Sequence, residues 1–129
     1  MKKTFLLALI LALFANTAFA TGDSYCKAVD GSDAEFGYSF GHVPGLAIVS
    51  AIISAEGQHW SMNDNEGSKP IVVAQGARDG AYTLIEFTDP GYEAIIASIR
   101  IVSVVEDGEH RAAGVLRIPN LGVYAMMCE

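Results

Sequence analysis

Cysteine is nearly missing from this chain, and positive charge is scarce. Only Cys26 and Cys128 occur among 129 residues, which excludes a C-x-x-C redox pair, a cysteine-built zinc site and a dense disulfide scaffold. Eight lysines and arginines stand against fifteen aspartates and glutamates. That balance repels phosphate backbones and anionic headgroups and argues against nucleic-acid binding. Long apolar runs are also missing beyond the first twenty residues. The longest, 94–105, is broken by Ser98, Arg100 and Ser103 and falls short of the roughly 20 residues a spanning helix requires. No stable membrane insertion is expected.

Signatures of chemistry are equally sparse. There is no G-x-S-x-G elbow, no phosphate-cradling glycine loop and no dinucleotide fingerprint. His42, His59 and His110 form no H-x-H or H-x-x-x-H pair. Asn63-Asp64-Asn65-Glu66-Gly67 lacks the acidic first ligand and alternating donors of a calcium loop. The expectation is a non-enzyme with no catalytic residue, no metal and no cofactor.

What the chain does have begins at its first residues. Lys2 and Lys3 lead into an apolar run over 5–14, followed by Ala18-Phe19-Ala20. A charged start, a short apolar stretch and an A-x-A site read as a removable export signal over 1–20. A single domain is then expected over 21–129, in the periplasm or secreted. Loss of Lys2 and Lys3 leaves six basic against fifteen acidic residues, a net charge of −9. Such acidity keeps an exported protein soluble and favours encounter with a basic partner. In an oxidising compartment Cys26 and Cys128 have only each other to pair with.

Period-two patterning recurs along 21–129. Phe36, Tyr38 and Phe40 alternate with Gly37, Ser39 and Gly41, placing three aromatics on one face of a strand. The segment 46–55 carries Ile48, Ile52 and Ile53 at spacings compatible with a helix, but its β-branched content favours a strand. A polar loop is expected over 61–69. Further strands are expected over 25–29, 71–75, 82–88, 94–105, 112–118 and 123–128. In the strand over 94–105, Ile95, Ala97, Ile99, Ile101 and Val105 should face the core and Arg100 the opposite side. Turns fall at Gly76–Gly80, Asp89-Pro90-Gly91, Glu106-Asp107-Gly108-Glu109 and Pro119-Asn120-Leu121-Gly122. About eight short strands with regular turns predict an all-β fold, a small antiparallel meander-like barrel or a two-sheet sandwich. A barrel brings the first and last strands together, as the disulfide requires.

Three residues stand out as binding candidates. Trp60 beside His59 opens the polar loop, where an aromatic serves as an interface anchor or simply covers one end of a barrel. Arg78 is expected at a hairpin tip, between Ala77 and Asp79. The layout resembles the C-type lysozyme inhibitors of bacteria, small periplasmic eight-stranded barrels that insert a Ser-Gly-x-Arg-Tyr-like loop into the enzyme's cleft. Gln75-Gly76-Ala77-Arg78-Asp79 keeps Gly-x-Arg and lacks the serine and tyrosine. The resemblance implies binding, and inhibition, of a basic lysozyme-like hydrolase through Arg78. Two other roles compete with it. One is a small-ligand carrier whose interior is lined by Phe36, Tyr38, Phe40, Met126 and Met127. The other is a structural or assembly component of the cell envelope that joins subunits through an exposed strand edge.

Overall fold

The computed structural model describes residues 21–129. The expected export signal, 1–20, lies outside them. The described chain folds into ten strands with no helix among them: β1 (Thr21–Ala28), β2 (Glu35–Gly41), β3 (Ala47–Ala55), β4 (Gln58–Ser61), β5 (Lys69–Pro70), β6 (Val72–Asp79), β7 (Tyr82–Thr88), β8 (Ile95–Glu106), β9 (Glu109–Ile118) and β10 (Gly122–Cys128). They form one sheet in the order β5-β4-β3-β2-β1-β10-β9-β8-β7-β6. All pairings are antiparallel except the short β4–β5 contact. The sheet curls until β3 approaches β6, nearly closing a barrel. The architecture is therefore the barrel rather than the sandwich. It has ten strands instead of about eight because β4 and β5, only four and two residues long, carry no readable period.

The first and last strands meet in the middle of the sheet. Tyr25 and Glu129 exchange both backbone hydrogen bonds, at 3.0 and 2.8 Å. The adjacent pair, Cys26 opposite Cys128, is thus of the closer, non-hydrogen-bonded kind. Their Cα atoms lie 4.0 Å apart and the disulfide joins them. Both cysteines are buried inside the barrel.

Alternation fills the interior from every wall. Phe36, Phe87, Ile85, Ile99, Leu116 and Met126 are buried there, so the centre is packed by the chain's own side chains. Leu46 precedes β3, and 47–55 is a strand throughout. Two-residue turns close two hairpins. Glu56-Gly57 and Asp107-Gly108 all have positive φ, the conformation whose twist matches that of paired strands. Asp33, from the β1–β2 loop, accepts hydrogen bonds from Glu56 N (2.7 Å) and Gly57 N (3.1 Å). The Tyr124 hydroxyl donates to Glu56 at 3.2 Å, so this end of the barrel is stitched shut.

Two predicted facings in β8 are corrected. Ala97, Ile99 and Ile101 are buried and Arg100 is exposed, as their alternation requires. Ile95 is exposed because the β7–β8 register shifts between Phe87 and Thr88. Val105 is exposed because the β8–β9 hairpin runs past the core.

Candidate functional site at the barrel mouth

The end opposite the Asp33 stitch is open. A cavity of about 570 Å³ lies there, with Tyr38, Thr83, Ile101 and Ala112 among its lining and Phe40, Arg78, Ser103 and His110 nearer the rim. An aromatic column leads into it along β2. Phe87 meets Phe36 edge-on at 5.9 Å, Phe36 stacks on Tyr38 at 5.2 Å, and Tyr38 lies 5.6 Å from Phe40. The alternation of large residues with Gly37 and Ser39 keeps all three β2 rings on the inner face. Gly22 opposite Phe40 makes room for the last ring, which a Cβ at that position would strike.

Arg78 completes the wall. It lies within β6 opposite Thr83, two residues before the Gly80-Ala81 turn, and not at the hairpin's tip. Thr83 is buried, so the pair faces inward. The Arg78 guanidinium lies 4.6 Å above the Phe40 ring, and its Nε donates to Thr83 Oγ1 at 3.3 Å. These contacts leave the terminal N–H groups of Arg78 without an ion-pair partner among the described residues. Asp23 and Glu129 line the same cavity. They belong to β1 and the end of β10, which β7, β8 and β9 separate from β6. The mouth is therefore polarised, with a cation on one wall, carboxylates on another and aromatic and aliphatic carbon between.

The three candidate residues are not brought together. Trp60 is buried, opposite Ile53. Lys69 Nζ sits 5.5 Å over its ring and donates to Gln58 at 2.8 Å, fixing the polar loop to β4. His59 is exposed and lines a separate cavity of about 280 Å³ with Trp60 and Glu35. Of the residues considered for a carrier's lining, Tyr38 and Phe40 reach the mouth, whereas Phe36 and Met126 are core. Met127 is exposed, because Met126 and Cys128 take the inward positions of β10.

Thr83, Ser103 and His110 were not singled out by sequence. Nothing local marks them; they converge only when β7, β8 and β9 are aligned. Among the described residues no group of three or more histidine, cysteine, aspartate or glutamate side chains is arranged to hold a metal. Comparison with known protein families, characterised proteins and solved structures finds no match to this chain.

Proposed function

We propose that this chain is an exported binding protein whose barrel mouth receives a small ligand with an anionic group and an apolar body. The observation that carries the reading is the Arg78 guanidinium, held over Phe40 and by Thr83, at the rim of the 570 Å³ cavity. A planar guanidinium with free N–H donors is suited to a carboxylate or sulfonate. Tyr38, Phe40 and Ile101 supply apolar contact for the rest of the ligand. Asp23 and Glu129 favour a ligand whose far end donates hydrogen bonds or carries positive charge.

The test uses 1-anilinonaphthalene-8-sulfonate, an aromatic anion, titrated into the folded, oxidised protein. Saturable one-to-one binding is expected, weakened roughly tenfold or more by Arg78→Ala, as loss of a charge-assisted hydrogen bond predicts. Circular dichroism of the variant should be unchanged. Absence of saturable binding, or binding indifferent to both Arg78→Ala and Phe40→Ala, would overturn the reading.

A second reading is favoured by the β8–β9 turn beside the mouth. Glu106, Asp107 and Glu109 are all exposed there, within a chain of net charge −9 over 21–129. A basic protein, such as a lysozyme-like hydrolase, capping the mouth would meet these carboxylates. Hydrolase inhibition that disappears at high salt and in a Glu106→Lys/Glu109→Lys variant would support that role; no inhibition at low salt would remove it.

A further inference from the structure

The outer face of β7 to β10 has a character unlike the rest of the molecule. Tyr82, Val102, Ala113 and Met127 are successive cross-strand neighbours, and all four are exposed. The next row on the same face runs Leu84, Arg100, Val115 and Ala125. Between Tyr82 and Arg100 the surface dips into a groove of about 350 Å³, floored by Leu84 and Val102.

Basic residues gather on this face, with Asp79 on the β6 side of the groove and Glu86 beyond Leu84. Only six basic residues occur in 21–129. Arg100, Arg111 and Arg117 point outward from β8 and β9, and Lys27 lies opposite Met127 on the neighbouring strand. Arg111 pairs with Glu109 at 2.9 Å and Lys27 approaches Glu35 at 3.7 Å. Arg100 and Arg117 form no ion pair among the described residues. In a chain of net charge −9 this is an apolar, cationic patch with two uncommitted guanidiniums.

We infer that this face docks a partner protein through an extended segment bearing a carboxylate beside an apolar side chain. The apolar side chain fills the groove against Tyr82 and Val102, and the carboxylate takes Arg100. Charge complementarity selects an acidic segment. A second copy packed face to face is disfavoured because it would press together two patches of the same sign, each carrying Arg100, Arg111 and Arg117. A bilayer is disfavoured because the outer wall of a barrel is convex and Tyr82 is the one aromatic in these rows.

The probe is a phage-displayed library of random peptides about twelve residues long, panned on the oxidised full chain. Enrichment of sequences with Asp or Glu next to an aliphatic or aromatic residue is expected. Their affinity should fall roughly tenfold or more with Arg100→Glu and with Val102→Asp, fall with added salt, and survive Arg78→Ala. Both variants should keep the wild-type circular dichroism spectrum; Arg100→Lys, which retains charge, should keep part of the binding. Three results overturn the inference: no enrichment, enriched peptides indifferent to Arg100→Glu, or peptides sensitive to Arg78→Ala instead. Arg100-dependent flotation with phosphatidylcholine vesicles containing about 30% phosphatidylglycerol, without peptide enrichment, would also overturn it in favour of a membrane.

Discussion

At Gly114 the barrel depends on the absence of a side chain. Gly114 pairs with Ile101 between β8 and β9, and a Cβ there would overlap the Arg100 carbonyl oxygen and come within 2.9 Å of its carbon. Those atoms are backbone and cannot swing aside as a flexible side chain would. Gly114→Ala must therefore push β9 away from β8 where Ile101 and Ala112 line the mouth. A loss of about 1–3 kcal/mol is expected, as for other overpacked sites, measured as a lower urea midpoint with an unchanged slope. Because the displaced strands carry Ser103 and His110, the same variant should weaken mouth binding in proportion. A stability loss below about 0.5 kcal/mol would show that β9 accommodates the methyl group freely.

Turns show how charge organises the elements. Asp89 accepts hydrogen bonds from Gly91 N (3.0 Å), Glu93 N (3.0 Å) and Ala94 N (2.7 Å), fixing the β7–β8 connection. These donors, Ala94 N–H foremost, hold its carboxyl below the ordinary 3.8. The Glu56 and Gly57 N–H groups likewise lower Asp33. A carboxyl with a depressed folded-state pKa stabilises the fold above its unfolded value, and that contribution is lost as pH falls through the folded one. The melting temperature should therefore drop as pH is taken below about 4. Asp33→Asn and Asp89→Asn should each lie below wild type at pH 7, with the gap narrowing towards pH 2. A gap that stays constant with pH would remove the electrostatic explanation. Element-level structure was also where the sequence was most and least legible. Strict alternation made β2 readable, and Asp-Gly and Asp-Pro-Gly marked the turns. Arg78's facing was hidden because the β6–β7 register shifts between Val73 and Gln75. A residue counted inward from Val73 by twos changes faces at that bulge, which turns Arg78 to the mouth. The slip between Phe87 and Thr88 hid Ile95 in the same way. Bulges are set by pairing with another strand, so no local pattern announces them.

For the whole molecule, closure at β1–β10 is the most distant contact in sequence and among the shortest strand pairings. Its register joins Cys26, Lys27 and Ala28 to Cys128, Met127 and Met126, extended by the two Tyr25–Glu129 hydrogen bonds. Without a crosslink, those few contacts must offset the loss of chain freedom across 102 residues. Chain-entropy arithmetic assigns a crosslink over about 100 residues roughly 4–5 kcal/mol, comparable to the whole stability of many small domains. The two halves of the barrel, β1 to β5 and β6 to β10, are contiguous in sequence; among the described residues no other strand pairing joins them, and they otherwise meet at the β3–β6 approach and through side chains, Phe36 against Phe87, Arg78 over Phe40 and Tyr124 on Glu56. Reducing the disulfide should therefore release the halves from each other before it disrupts the hairpins within them. In a Cys26→Ser/Cys128→Ser variant, amide exchange should accelerate first in β1 and β10, and the urea midpoint should fall by the equivalent of about 4 kcal/mol. Binding of the anilinonaphthalene sulfonate probe proposed for the mouth should be lost early, since Phe40 belongs to one half and Arg78 to the other. Uniformly accelerated exchange in every strand would instead mark the barrel as one cooperative unit, held by its packed core as much as by its closure.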